Sequence, residues 1–349
     1  MTATNAIPVG ILGASGYTGA ELVRLLAHHP NVEIRAVTAD RKAGRPMAEV
    51  FPHLAAVGLP ALSAIEDTDF AALDTVFLGL PHGTTQEVVA ALPGHLRVID
   101  LSADFRLRDP ALYKQWYGHD HRAPAHQKQA VYGLTEHARE AIRAARLIAC
   151  PGCYPTAGMM PLIPLLKAKL VAADDIIIDA KSGVSGAGRA EKEANLFAEI
   201  SEGIHAYGIA NHRHAPEIEQ ELSLAAGTPI TVSFTPHLVP MNRGILATIY
   251  VRLANGAAVD DLHGALASAY EGEPFVRVLP RGVAPATRHV RGSNHCLIGV
   301  FPDRQPGRAI LVSAIDNLVK GAAGQAVQNF NLVAGLAETT ALEQEALFP

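Results

Sequence analysis

Cysteine is scarce in this chain: there are three among 349 residues, Cys150, Cys153 and Cys296. Three thiols are too few for a disulfide framework, and the odd count fits a reducing compartment. Cys150 and Cys153 frame a Cys-Pro-Gly-Cys stretch, but a four-ligand zinc centre needs a second pair and the sequence has none, so no metal is expected. An excess of basic charge is missing too. The net charge of −5 offers no footprint for nucleic acid or an anionic membrane, although a local set of arginines can still meet a small anionic substrate. No apolar run approaches the ~20 residues of a membrane helix. The few residues before the first apolar run lack the basic flank, apolar core and cleavage site of a secretory signal. These absences lead us to expect a cytoplasmic protein whose partner is a small molecule. Low-complexity tracts and internal repeats are absent as well, and hydrophobic residues make up 49% against 18% charged, ample for a buried core. At ~150 residues per domain, the length suggests two domains.

What is present begins with an apolar strand at 7–12, then Gly13-Ala14-Ser15-Gly16-Tyr17-Thr18-Gly19, then a helix with apolar residues at helical spacing. The three glycines are a G-x-x-G-x-x-G variant of the dinucleotide fingerprint, in which missing side chains let a pyrophosphate approach the helix N-terminus. Further strands are expected at 32–39, 75–79 and 97–100, with a helix over 84–92. This alternation predicts a Rossmann-type doubly wound parallel sheet, with ligands beyond the carboxyl ends of its strands. Asp40 stands about 20 residues past the glycines, where an acid binds the ribose hydroxyl of NAD. Arg41 and Lys42 follow at once, however, and cations there accommodate a 2′-phosphate, so Thr38 and Arg41 argue for NADP.

Pro151-Gly152-Cys153-Tyr154-Pro155-Thr156 sets a thiol where a short strand at 147–149 gives way to a helix. Helix N-terminal N–H groups favour thiolate over thiol, lowering a pKa that starts near 8.5, so Cys153 is a candidate nucleophile rather than a small buried apolar residue. Beyond it we expect a long helix over 156–170 despite Pro161 and Pro164, a strand at 175–180, and a glycine and serine loop over 181–189. Strands at 230–235, 244–253, 297–301 and 309–315 and a helix over 259–270 then predict a second, α+β catalytic domain with a mixed sheet. The expected domains are 1–150 for the dinucleotide, 151–317 for catalysis and oligomerisation, and 318–349 as a C-terminal helix returning to the first domain. Gly321 and Gly324 lie inside that last helix, a cost in stability unless a backbone or ligand must come close.

The motifs together carry a resemblance. The glycine fingerprint, Asp100-Leu101-Ser102-Ala103-Asp104-Phe105-Arg106, the Cys153 motif, the 182–189 loop, His212-Arg213-His214-Ala215-Pro216-Glu217-Ile218 and Asp316-Asn317-Leu318-Val319-Lys320-Gly321 make the chain similar to the N-acetyl-gamma-glutamyl-phosphate reductases of the aspartate-semialdehyde dehydrogenase superfamily. The resemblance implies an NADPH-dependent reductive dephosphorylation, in which Cys153 attacks a small anionic acyl phosphate, phosphate leaves, and the thioester is reduced to a semialdehyde for arginine biosynthesis. A neighbouring acid/base is then needed, and histidine suits it. His214 is our choice, with His212 orienting it or touching substrate. If the segment is extended the two share a face.

The resemblance further gives Arg106 to the phosphate, the alternative for Arg106 being a surface ion pair with Asp104 or Asp109. It gives Gly13, Ser15, Gly16, Tyr17, Thr18, Gly19, Thr38 and Arg41 to the dinucleotide. Ser182, Gly183, Ser185, Gly186 and Asn317 fall to the nicotinamide end, Ser182 also near substrate, and relatives commonly form dimers or tetramers through the second domain. His119, His121 and His126 are read as solvated or merely hydrogen-bonded. Two rivals are an aminoadipyl-phosphate reductase of carrier-protein lysine biosynthesis and a silent dinucleotide-binding sensor. Cys150, three residues before the nucleophile, raises the possibility of a resolving thiol, against burial at the end of its strand.

Overall fold

β1 (Ile7–Leu12) is buried over its last four residues, and the chain leaves it through Gly13 at φ +86°, a conformation that favours glycine. The structure, a computed structural model, describes residues 6–349. It divides into two compact units, Met1–Pro151 with Ala322–Glu343, and Gly152–Gly321 with Gln344–Pro349.

In the first unit β1 is joined by β2 (Val32–Val37), β3 (Thr75–Leu78), β4 (Arg97–Asp100), β5 (Val131–Tyr132) and β6 (Leu147–Ala149). All pairings are parallel, in the order β2-β1-β3-β4-β6-β5. The expected doubly wound sheet is therefore present, and β3 at its centre is buried along its whole length, as a strand covered on both faces is. Helix Gly324–Val333 packs on helices Tyr17–Leu26 and Thr135–Arg143 and on β4. It is buried along its whole length, so each polar side chain on it needs a partner. Asn329 accepts from Thr135 Oγ1 at 2.7 Å and donates to the Gly133 carbonyl at 2.9 Å, while Asn331 meets His29 at 2.8 Å.

The second unit holds β7 (Ile176–Gly183), β8 (His205–Ala206), β9 (Val232–Val239), β10 (Ile245–Arg252), β11 (Val276–Val278), β12 (Cys296–Pro302) and β13 (Arg308–Ile315), in the order β11-β12-β13-β10-β7-β9-β8. β7–β9 and β11–β12 are parallel and the other pairs antiparallel, which is the mixed sheet expected. Along β7, β9 and β10 buried residues alternate with more exposed ones, so one face is core and the other is open. Helix Cys153–Lys167 lies on β10 and β13, with helices Ala215–Ala226 and Val259–Ala269 beside it. It is apolar on all sides because it is surrounded.

Several expectations need correction. The helix begins at Cys153 rather than near 156, because Pro155 stands in the first turn, where a missing N–H costs nothing. β7 runs on through Lys181, Ser182 and Gly183, leaving a shorter 3₁₀ turn at Val184–Ala187 where a longer loop was expected. The His-Arg-His segment is a turn that opens helix Ala215–Ala226, not an extended run. The single helix expected from 318 onward is a π turn, Val319–Ala323, followed by helix Gly324–Val333. Among the described residues no helix is long and apolar enough to cross a membrane.

Candidate active site

In the first unit the glycine turn is tight. A Cβ on Gly13 would lie 2.5 Å from the Gly79 carbonyl oxygen, and one on Gly19 would lie 2.6 Å from Ala14 Cα. Helix Tyr17–Leu26 starts at Gly16 with no side-chain cap and no acid in its first turn, so its N-terminal N–H groups suit an anion. Ser15 and Thr18 are half-buried in this turn and Tyr17 is exposed. Thr38 has no exposure; its Oγ1 accepts the Gly13 N–H at 3.2 Å and its carbonyl accepts the Ala14 N–H at 2.8 Å. Thr38 thus shapes the turn from below. Arg41 is exposed in the turn beyond β2.

Past β4, Arg106 is only 6% exposed. Its Nε donates to the Cys150 carbonyl and its Nη2 to the Leu101 carbonyl, each at 2.8 Å. It is a buried, oriented cation, not a surface ion pair. Asp104 accepts the N–H groups of Gly83 and Thr85 and the hydroxyl of Tyr113, and Asp109 accepts the Ala111 N–H at the start of helix Pro110–Tyr117. His121 is buried and hydrogen-bonded rather than solvated: Nε2 meets the Asp104 carbonyl at 2.8 Å and Nδ1 accepts the Ala123 N–H. Cys150 has no exposure, burial pushes its thiol up to about 12, and its Sγ lies 3.7 Å from the Asn329 amide. Burial of this kind disfavours the thiolate that a resolving role would need.

In the second unit Cys153 is half-buried, and no cysteine is in a disulfide. It is the first residue of its helix, and Gly152 before it donates its N–H to Glu217 Oε1 at 2.8 Å. Glu217 is 1% exposed and lies in the first turn of helix Ala215–Ala226, so one carboxylate ties the beginnings of the cysteine and histidine helices together. On another side, a Cβ at Gly321 would come within 2.8 Å of Cys153 Cβ. Gly321 is held there by the π turn, its N–H reaching the Asp316 carbonyl at 2.9 Å.

His212 and His214 have ring centroids 4.8 Å apart. His212 Nδ1 accepts the His214 backbone N–H at 3.1 Å, and its ring is boxed by Tyr154, Tyr207 and Phe234. Burial first and the Arg213 charge second push His212 down to about 4, so its ring is neutral near pH 7. His214 stands at the N-cap position of its helix, its ring 5.9 Å from that of Tyr154. The Tyr154 hydroxyl donates to the His237 carbonyl and accepts from Tyr207, both phenols being raised chiefly by burial.

Ser182 is 1% exposed and donates to the Gly183 carbonyl at 3.0 Å, and Gly183 leaves no room for a Cβ against Met241, Asn242 and Arg243. A Cβ on Gly186 would come within 2.9 Å of Ser182 Oγ. Asn317, 2% exposed, donates to Ser185 Oγ at 2.9 Å and accepts the Gly244 N–H at 2.8 Å. Sequence reasoning did not single out Glu217 or Tyr207. Glu217 had a signal, its place three residues past His214; Tyr207 had none.

A tight glycine turn at a helix start in one unit, and in the other a thiol at the start of a helix that Glu217 ties to the helix opened by the His212–His214 turn, define a class. Residues 8–145 match the family described as "Semialdehyde dehydrogenase, NAD binding domain" and residues 153–317 that described as "Semialdehyde dehydrogenase, dimerisation domain". Within that class the chain belongs to the N-acetyl-gamma-glutamyl-phosphate reductase family. It is 61% identical over 348 residues to the N-acetyl-gamma-glutamyl-phosphate reductase of Rhodospirillum rubrum, covering 98% of this chain and 99% of that protein. It is 60% identical over 343 residues to the probable chloroplastic enzyme of Arabidopsis thaliana, covering 98% and 86% respectively. These names do not favour the lysine-pathway or silent-sensor readings. Among solved structures, aspartate semialdehyde dehydrogenase II of Vibrio cholerae, complexed with ASA, shares the fold with a TM-score of 0.71 at 18% identity, covering 95% of this chain and 99% of that one. The Candida albicans aspartate semialdehyde dehydrogenase with NADP has a TM-score of 0.68 at 19% identity, with the same coverage.

Proposed function

We propose that the chain converts N-acetyl-L-glutamyl 5-phosphate to N-acetyl-L-glutamate 5-semialdehyde and phosphate, using NADPH, through a thioester on Cys153. The observation that carries this reading is the seat of Cys153 at a helix start, with Gly321 clearing its side chain and Glu217 fixing it to the helix that His214 opens. The Cys153 thiolate attacks the acyl carbon, and collapse of the tetrahedral adduct expels phosphate and leaves the thioester. NADPH, when bound, supplies the hydride that takes this acyl group to the aldehyde level. His214 moves the proton at the substrate oxygen when the thiohemiacetal returns the Cys153 thiolate. His212, neutral and held through Nδ1, orients His214 and offers its other ring nitrogen to substrate. Arg106 receives the phosphate group, its planar guanidinium being suited to bidentate binding.

The residues fit a dinucleotide, because side chains at Gly13 and Gly19 would collide with backbone and the uncapped helix start is bare of acids. Ser15, Gly16, Tyr17, Thr18 and the turn held by Thr38 are assigned to the pyrophosphate, and Arg41 to the 2′-phosphate. Ser182, Gly183, Ser185, Gly186 and Asn317 are assigned to the nicotinamide end. A second copy docks on the open face of the mixed sheet to form a homodimer or homotetramer, and the cytoplasm is the compartment we assign.

The test is to mix enzyme with the acyl phosphate in the absence of NADPH. About one equivalent of phosphate per chain is expected at once, with N-acetylglutamyl mass added to the peptide carrying Cys153. Cys153→Ser is expected to bind NADPH normally and give neither signal, since a serine alkoxide is scarcely available at neutral pH. Near-normal turnover in that variant would refute the covalent route. An N-acyl aminoadipyl phosphate that reacts as well would move the substrate assignment.

A further inference from the structure

Asp100 closes β4 with no exposure. Its Oδ1 accepts the Ser102 N–H and its Oδ2 the Ser102 hydroxyl, both at 2.9 Å, and its main-chain carbonyl accepts the Cys150 N–H at 2.8 Å. Arg106, six residues on, holds the carbonyls of Cys150 and Leu101. An acid and a cation are thus built into one buried turn, framed by the same Cys150 peptide groups. The proposed reaction makes no use of the acid.

Burial pushes the Asp100 carboxyl up to about 7, the Ser102 bonds and the Arg106 guanidinium pulling down and Asp104 pushing up. Around it stand Asp104 and Arg106 on its own loop and the neutral Cys150 thiol at the end of β6. His82 and His121 grip the loop further out, through the Ala103 N–H and the Asp104 carbonyl. Ionised Asp100 therefore depends on Arg106 for part of its stabilisation. An oxyanion arriving on the guanidinium adds a like charge nearby and weakens that support.

We propose that Asp100 is a positioning and charge-balancing residue for Arg106, taking up one proton from solvent when an oxyanion docks on the guanidinium. This rests on the reading that Arg106 receives the phosphate group. The carboxylate becomes a carboxylic acid, no covalent bond to the oxyanion forms, and the proton offsets one unit of the negative charge that the oxyanion brings. Binding then favours protonated Asp100, so affinity falls as pH rises through neutrality.

Sulfate is the probe, because it stays a dianion over roughly pH 6 to 9 and adds no titration of its own. Full-length protein saturated with NADP⁺, which closes the dinucleotide phosphate sites, is titrated with sulfate across that range. The wild-type Kd is expected to rise about tenfold or more from the acid to the alkaline end, and that of Asp100→Asn less than about twofold. Ser102→Ala keeps the acid and the backbone N–H bond to it but removes the hydroxyl bond to its ionised form, so its transition moves to higher pH, a shift that a merely structural role for the turn does not produce. Retention of the full pH dependence in Asp100→Asn, or an unmoved transition in Ser102→Ala, overturns the proposal. So does loss of the dependence in His82→Gln or His214→Asn, which makes a histidine the titrating group. Arg106→Ala isolates the underlying reading: unchanged sulfate affinity there means the oxyanion binds elsewhere, and both ideas fall together.

Discussion

His212 and His214 differ in what the backbone asks of them. The Nδ1 of His212 is taken by the His214 N–H and its ring is held neutral well below pH 7, which leaves it poorly matched to proton transfer near neutrality. His214→Asn is therefore expected to lower kcat by about 10²- to 10⁴-fold with little change in NADPH affinity. His212→Asn should act mainly on KM, and steady-state kinetics with the pattern reversed would exchange the two roles. At Arg106, lysine keeps the charge but loses the fork and the two carbonyl bonds, so Arg106→Lys is expected to raise the KM for the acyl phosphate by about tenfold or more. The cysteine and the histidine pair were legible in the sequence as motif members. Which histidine has a ring nitrogen taken by the backbone was not, because it depends on a turn that spacing cannot reveal. Nor could the sequence say that Cys150 is sealed against Asn329, a residue 179 positions away.

The π turn Val319–Ala323 is the element that makes room for the nucleophile. Its wider bond pattern carries the Gly321 N–H to the Asp316 carbonyl and sets the glycine's bare Cα against Cys153. Gly321→Ala puts a methyl group 2.8 Å from Cys153 Cβ, with backbone behind both. We expect a loss of about 1–3 kcal/mol in stability and a far larger fall in kcat than in NADPH affinity, read by denaturant melts beside kinetics. A variant with normal turnover would mean that the turn yields without moving the thiol. The glycine's cost inside a helical pattern was visible in the sequence, but the break of that helix into a π turn and a following helix was not. Two-residue strands such as β5 and β8 were equally invisible, since pairing with a neighbour, not their own pattern, makes them strands.

At the scale of the molecule, the parallel sheet was legible because continuous apolar runs alternate with helices, and the mixed sheet because strands follow one another with few helices between. Burial of histidines gives the whole chain a pH response. His29, His121, His212 and His295 are each lowered by desolvation, while burial raises Asp100 and Glu219. The histidines bind protons more readily unfolded, so their stabilising contribution is present above about pH 6.5 and is lost as pH falls. The two carboxyls act in the opposite sense and are outnumbered. Thermal melts are thus expected to shift downward between about pH 7 and 5, and a flat or rising Tm would contradict the burial of these rings. The cysteines carry a different consequence. Cys150 and Cys296 have no exposure, whereas Cys153 is reachable. An alkylating reagent added to native protein should therefore consume one equivalent per chain, against three after unfolding, and inactivation should track that single equivalent. Any preparation can then report its own fraction of competent molecules by a thiol count, without a turnover assay.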